Sequence, residues 1–344
     1  MEEFQKEVLL SVIISVYNTP KDLLEHCMLS VLNNIRNIFE IEVLCIDDGS
    51  TFPYVEKMIK KYEKEDYRIK YIFKKNSGVS ETRNLGIEMS KGKYITFIDG
   101  DDYLEGNALQ HMIDTMRNYE ADLVIFDYCK DNNYPEKNIR VEKKLSDSEI
   151  RNILLQKGLT LCHHKVHPYL PFARIFNRSL LDKHQIFFEP TLSIGEDALF
   201  NFYFISYASS IYVDNTLVYH YVTNSQSSTQ KCSDKNLKQL PRQMDIWENF
   251  VLKRYPYDKE VWHMLCMRCL SEIRTARRQY FTNPKNRKEY KEKKKELNNF
   301  LSQPIIKKWI HEMKLSDASD IISFKNILLL KLNLYWLFLI TERS

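Results

Sequence analysis

Glycine is scarce in this chain: eight residues of 344, none of them beyond Gly195. No Gly-x-Gly-x-x-Gly follows the first apolar run, and no Gly-Lys-Ser or Gly-Lys-Thr occurs. That argues against the dinucleotide fingerprint and the P-loop, which need glycine to bring backbone amides against phosphate. Cysteine is sparse too, seven in number and scattered, with Cys266 and Cys269 three apart in a helical pattern and no second pair at zinc spacing. This usage reads as reduced thiols in a reducing compartment. The opening Met1-Glu2-Glu3-Phe4-Gln5-Lys6-Glu7 is charged and lacks the apolar run of a secretory signal. No long hydrophobic run is clean enough to read as a membrane span. The net charge of +4 is too small for a whole-protein argument for nucleic acid.

What is present describes an ordinary globular protein, 44% hydrophobic and 28% charged. The length suits about two domains. The loss of glycine after Gly195, in a stretch rich in Lys, Leu and Asn, marks a change of architecture. A turn-rich α/β domain is expected over 1–230 and a mainly helical one over 231–344.

In the first part, apolar runs alternate with helical patterns. Strands are expected at 9–16, 41–46, 69–73, 94–98 and 123–127. Helices are expected at 21–35, 53–62, 80–89 and 107–119, the second with Pro53 at its first position. Alternation of this kind implies right-handed βαβ crossovers and a parallel, doubly wound sheet.

The run Tyr94-Ile95-Thr96-Phe97-Ile98 ends in Asp99-Gly100-Asp101-Asp102. Three carboxylates within four residues repel one another and are costly to bury unpaired. A turn capping the helix near Gly106 would tolerate them. A divalent cation would offset the repulsion, and Mg²⁺ and Mn²⁺ prefer oxygen ligands. Two other strands also end in polar clusters, Asp47-Asp48-Gly49-Ser50-Thr51 and Lys74-Lys75-Asn76-Ser77-Gly78. In a parallel sheet all three would meet at one edge, where α/β folds bind ligands.

Five segments taken in order resemble glycosyltransferase family 2, the GT-A fold, over about residues 9–225. They are Ser11-Val12-Ile13-Ile14-Ser15-Val16-Tyr17-Asn18, Ile46-Asp47-Asp48-Gly49-Ser50-Thr51, Asn76-Ser77-Gly78-Val79-Ser80-Glu81-Thr82-Arg83-Asn84-Leu85-Gly86, Asp99-Gly100-Asp101-Asp102 and Gly195-Glu196-Asp197-Ala198-Leu199-Phe200. The pattern looks most like bacterial enzymes that build capsule, lipopolysaccharide or teichoic acid glycans. The resemblance implies a Rossmann-like nucleotide-sugar-binding domain with a mostly parallel sheet. It implies an inverting, metal-dependent transfer from a nucleotide sugar, a UDP-sugar by this pattern, to a hydroxyl of a glycan or lipid-linked acceptor. Asp101 would be the direct ligand of Mn²⁺ or Mg²⁺, with Asp99 assisting or contacting the ribose beside Gly100. Asp102 would support that pair or cap a helix. Asp197 would be the general base, with Glu196 orienting the acceptor; an acidic first turn of a helix is the plainer alternative. Tyr17, Asp48, Gly49, Asn76 and Gly78 would hold the nucleotide, and Arg83 would face it or its diphosphate.

There are departures from the pattern. Ser15 stands where the family usually has proline, and Val222 replaces a basic residue after Tyr219-His220-Tyr221. His220 is a candidate for the metal or the phosphates, against an ordinary structural role. Cys162-His163-His164-Lys165-Val166-His167 reads as loop or acceptor-site residues in preference to zinc. Arg174 falls in a segment that would lie beside the acceptor.

Helices are expected at 237–252, 261–280 and 289–301. The apolar tail at 324–340 contains Lys331 and Asn333, which makes it a poor span. It would pack against the helical domain or a second subunit, or lie in the membrane interface. The expected setting is cytoplasmic, with peripheral contact at the inner face of the cell membrane and no nucleic acid. A catalytically silent nucleotide-sugar-binding subunit of an assembly complex is the alternative function. A sugar nucleotidyltransferase should show a Gly-rich Arg-Lys loop where this chain has Tyr17-Asn18-Thr19-Pro20.

Overall fold

A computed structural model describes residues 7–131, 133–134, 140–155, 159–161, 164–166, 169–223, 234–315 and 324–340. Cys162, His163 and His167 lie outside them. The chain divides into two compact units, Met1–Asn224 and Ser225–Ser344.

The first unit opens with β1 (Leu10–Val16), α1 (Lys21–Ile35), β2 (Ile41–Asp47), α2 (Pro53–Glu65), β3 (Ile69–Phe73), α3 (Val79–Met89) and β4 (Tyr94–Asp99). The short β5 (Tyr103–Leu104), α4 (Ala108–Tyr119), β6 (Leu123–Lys130), β7 (Glu142–Lys144) and α5 (Asp147–Leu154) follow. Then come β8 (Leu159–Leu161), β9 (His164–Val166), β10 (Arg174–Asn177), α6 (Arg178–His184), α7 (Glu196–Tyr207) and β11 (Ile211–Tyr221). Among the described residues nine strands form one sheet, ordered β3-β2-β1-β4-β10-β6-β11-β5, with β7 also on β11. The β3-β2-β1-β4 half is parallel, and β6 and β11 are parallel. The sheet is mostly parallel, as expected, with an antiparallel member between β4 and β6. The four-residue β10 inserts there and runs antiparallel to both.

The apolar runs bury both faces of the sheet, which is why they read as continuous instead of alternating. Val12, Ile14, Val43 and Cys45 share a core with Leu24, Met28 and Val31 of α1, Ile59 of α2 and Met112 and Met116 of α4. Ile13 points the other way, against α3 at Gly86, as the two-residue period of a strand requires. On that second face Phe97, Phe176, Phe188, Phe200 and Phe204 form an aromatic cluster, with Phe188 stacked on Phe200 at 3.9 Å.

The second unit is helical: α8 (Lys235–Arg254), α9 (Lys259–Ala276), α10 (Tyr290–Leu301), α11 (Pro304–Glu312), α12 (Phe324–Lys331) and α13 (Tyr335–Ile340). Its core includes Trp247, Leu265, Leu270, Leu301 and Trp309. The helix expected over 261–280 ends at Ala276 and passes into a π-helical turn at Arg277–Phe281. The apolar tail is two short helices, broken where Asn333 takes φ +56°. Lys331, one of two lysines in that tail beside Lys325, donates to the carbonyls of His311 and Met313, both at 2.8 Å. It thereby satisfies carbonyls that the end of α11 leaves open. Ile327 and Leu330 are buried, and Leu332 is 56% exposed. Among the described residues no helix is long and apolar enough to cross a membrane.

Candidate active site

Register brings the carboxyl ends of three strands together. Ser15 pairs with Asp99 across β1 and β4, and Val16 pairs with Asp47 across β1 and β2. Just past the strands, the Asp48 amide donates to the Val16 carbonyl at 2.8 Å and the Gly100 amide to the Ser15 carbonyl at 2.9 Å. Tyr17, Asp48 and Gly100 therefore sit on one edge, as the strand endings anticipated.

Asp48 is buried and organises the loop after β3. Its carboxylate accepts from the Ser77 amide at 2.9 Å, the Gly78 amide at 2.8 Å, Asn76 Nδ2 at 3.1 Å and the Lys74 ammonium. Four donors on one carboxylate fill the sites it offers. Asp48, Asn76 and Gly78 are thus brought together. Gly49, at φ +74°, turns the chain so tightly that a Cβ there would lie 2.7 Å from the Asn76 amide nitrogen. Asp47 faces inward, accepting from the Ser50 amide at 2.8 Å and the Tyr71 hydroxyl at 2.9 Å. Tyr17 stands 52% exposed at the rim.

The second cluster is acidic. Arg83 of α3 is buried and donates through Nη2 to Asp99 Oδ1 at 2.8 Å and through Nη1 to Asp197 Oδ1 at 2.6 Å. Asp197 belongs to the first turn of α7, where the helix amides favour negative charge. Behind Asp99, the buried Asp102 accepts from the Tyr219 hydroxyl at 2.6 Å and the Val222 amide at 2.7 Å. The same hydroxyl receives the Asp99 amide at 3.2 Å. A single tyrosine on β11 thus ties down both ends of the Asp99–Asp102 turn.

Crowding shows in the acidities. Burial, then the charges of Asp99 and Asp101, raise Asp102 to about 8. Burial, then Asp197, raise Glu196 to about 7, while Arg83 opposes the shift. Asp197 is also raised, chiefly by burial, with Arg83 pulling it down and Asp99 pushing it up. These carboxylates, crowded and only partly balanced by Arg83, are oxygen donors of the type a hard dication takes. Among the described residues, no three His, Cys, Asp or Glu side chains already converge tightly enough to hold an ion.

His220 meets Glu105: its Nε2 lies 2.8 Å from Glu105 Oε2, and its ring stacks on Tyr103 at 4.3 Å. Its Nδ1 is buried with no hydrogen-bond partner among the described residues. Arg174 is buried in β10 and donates to Asn201 Oδ1 at 2.5 Å, and Asn201 in turn donates to the Asp197 carbonyl at 2.8 Å. Sequence reasoning missed Asn201 and Phe188, which support the acidic cluster. Phe188 carries no local signal because its partner Asn84 is 104 positions away, and Asn201, whose bond to the Asp197 carbonyl is an ordinary contact within one helix, takes its role from Arg174, 27 positions away.

Sheet and edge together define an α/β protein whose candidate site stands at the carboxyl ends of parallel strands. Residues 11–185 match the model of "Glycosyl transferase family 2", and the chain belongs to that family. It is 29% identical over 232 residues to a putative glycosyltransferase, EpsH of Bacillus subtilis (strain 168), covering 65% of this chain and 64% of that one. It is 26% identical over 303 residues to the poly(ribitol-phosphate) beta-N-acetylglucosaminyltransferase TarP of Staphylococcus aureus (strain N315), covering 84% and 86%. The match to EpsH, and one to EpsJ of the same bacillus, span 64% and 63% of those relatives' lengths. The crystal structure of S. aureus TarS 1-349 in complex with UDP-GlcNAc shares the fold at a TM-score of 0.69 and 18% identity, over 96% of this chain and 89% of that one.

Proposed function

We propose that this protein is an inverting, metal-dependent glycosyltransferase. It moves a sugar from a UDP-sugar to a hydroxyl of a cell-surface glycan or lipid-linked acceptor, of the capsule, lipopolysaccharide or teichoic acid kind. The observation that carries the reading is the convergence of Asp99 and Asp197, from β4 and α7, on one buried arginine beside the strand edge. The names of TarP and of the complex of TarS with UDP-GlcNAc support a UDP-sugar and a polyol-phosphate or glycan acceptor. A β-linked product made from an α-linked nucleotide sugar requires inversion, which a single in-line displacement produces.

In this reading Tyr17 offers its ring to the base, and the Gly49 turn and the Asn76–Gly78 loop shape the cleft for the nucleotide. For Asp48 to meet the base edge, one of its four present donors must yield. Asp101 and Asp99 would hold Mg²⁺ or Mn²⁺, which would neutralise charge building on the departing diphosphate. The acceptor hydroxyl, a poor nucleophile at neutral pH, attacks the anomeric carbon while its proton passes to the Asp197 carboxylate. The bond from that carbon to the diphosphate oxygen breaks in the same step. Glu196, half protonated near pH 7, orients the acceptor through a hydrogen bond. The reaction would run at the cytoplasmic face of the membrane, with contact through the exposed Leu332 and Trp336 of the tail.

A donor screen tests this. Released nucleotide is followed with UDP-, GDP- and dTDP-sugars plus Mn²⁺, with and without EDTA. Turnover of one UDP-sugar, lost with EDTA and reduced about 10²- to 10⁴-fold in Asp197→Asn, is expected. No turnover, together with no UDP binding by calorimetry, would replace this reading with that of a silent subunit.

A further inference from the structure

Arg83 has an unusual set of partners. Both terminal nitrogens of its guanidinium are spent on carboxylates, one on Asp99 and one on Asp197, while Nε is buried with no hydrogen-bond partner among the described residues. Leaving a buried donor unmade costs stability. The side chain is therefore placed to present its terminal edge to two acids at once. The plane is also held. Phe188 lies 5.1 Å from the guanidinium and stacks on Phe200. Phe188 is itself fixed by Asn84, the residue after Arg83: Asn84 Nδ2 donates to the Phe188 carbonyl and the Phe188 amide to Asn84 Oδ1, both at 2.8 Å. Two neighbouring residues on α3 thus supply both the fork and the brace behind it.

We infer that Arg83 is a positioning residue that sets the spacing between the donor-side carboxylate, Asp99, and the acceptor-side carboxylate, Asp197, and is not a ligand of the diphosphate. The inference rests on the proposed function, since it needs Asp197 as the base. A guanidinium is a rigid planar fork, so two acids bound to its two ends are held at a fixed separation. A lysine would keep the charge but not the separation, because its ammonium is a single point on a flexible stem. A misplacement of about 1 Å in such a site costs on the order of 10²-fold in rate.

The test uses Arg83→Lys, Asp197→Asn, the double variant and Phe188→Leu, with UDP binding by calorimetry and turnover of the UDP-sugar that the unmodified protein hydrolyses. The expected result for Arg83→Lys is a UDP Kd within about threefold of the unmodified protein and a kcat lower by about 100-fold. The double variant should be no slower than Asp197→Asn alone, because residues acting as one unit are non-additive. Phe188→Leu keeps the arginine and loosens its plane, so kcat should fall about tenfold with UDP binding intact. If Arg83→Lys weakens UDP tenfold or more, or the two losses multiply, Arg83 is a phosphate ligand and the inference is wrong. Turnover abolished by Asp197→Asn but untouched in Arg83→Lys and Phe188→Leu overturns the inference alone. Turnover indifferent to Asp197→Asn overturns the proposed function, and the inference with it.

Discussion

Gly49→Ala should damage nucleotide binding more than its size suggests. At φ +74° an alanine carries a backbone cost of about 1–2 kcal/mol. Its Cβ would also lie 2.7 Å from the Asn76 nitrogen and 3.3 Å from the Asn76 Cα. These are backbone atoms, so no rotamer change relieves the overlap and the 74–78 loop must move. That loop is held to Asp48 by four donors. Loosening one hydrogen bond to a charged group costs about 1.5–3 kcal/mol. The sum is about 2.5–5 kcal/mol, divided between fold stability and the affinity for UDP. Gly78→Ala is the internal comparison. Its φ is +100°, but a Cβ there meets nothing within 4 Å, so only the backbone cost applies. Chemical unfolding and calorimetry with UDP on both variants separate the two contributions. Gly49→Ala should lose at least about 1 kcal/mol more than Gly78→Ala and bind UDP at least about tenfold more weakly. Equal losses of stability would refute the clash with Asn76, and an unchanged UDP affinity in Gly49→Ala would refute the claim that this turn and loop form the nucleotide's cradle.

Three further outcomes follow from the same contacts. Asp102 and Glu196, raised to about 8 and about 7 from ordinary values of 3.8 and 4.5, hold protons in the folded protein that the unfolded chain has released. Stability should therefore fall as pH rises from about 5 to about 8. Mn²⁺ should flatten that slope, and a metal-free melting temperature independent of pH over this range would contradict the crowding. Tyr219→Phe removes the hydroxyl shared by Asp102 and the Asp99 amide. It should cost about 1–3 kcal/mol by chemical unfolding, and no loss would mean the link carries nothing. Gly92→Ala would place a Cβ 2.6 Å from the Ser11 amide nitrogen, at the opposite end of the sheet from the site. It should lower the melting temperature and leave the UDP affinity of the folded protein within about twofold; a matching loss of affinity would show that the two ends are coupled.

The first half of the fold was legible because each element carries its own pattern. β1 to β4 and α1 to α4 have buried apolar runs, a proline at the start of α2 and polar strand endings. β10 was not legible as a sheet member. Four residues, Arg174-Ile175-Phe176-Asn177, are too few for a period, and their pairing with β4 depends on contacts some eighty positions away. The tail at 324–340 read as one apolar stretch because composition does not reveal the left-handed turn at Asn333, nor that Lys331 is spent on carbonyls of a preceding helix. At the site, the strand endings anticipated that Asp48, Asn76, Gly78 and Asp99 would gather at one edge, while Asp197 was singled out through the resemblance to the family. Neither revealed that Arg83 bridges Asp99 and Asp197, because a side chain's partner is set by packing and not by spacing. The same holds for His220, whose neighbour Glu105 is unremarkable in sequence.

Single displacement assisted by Asp197 has a stereochemical signature, read by proton NMR of the sugar released from an α-linked UDP-sugar and recorded before the anomers equilibrate. The β anomer should appear first, and that signal should be lost in Asp197→Asn. The α anomer as first product, or β product undiminished in Asp197→Asn, would contradict that mechanism.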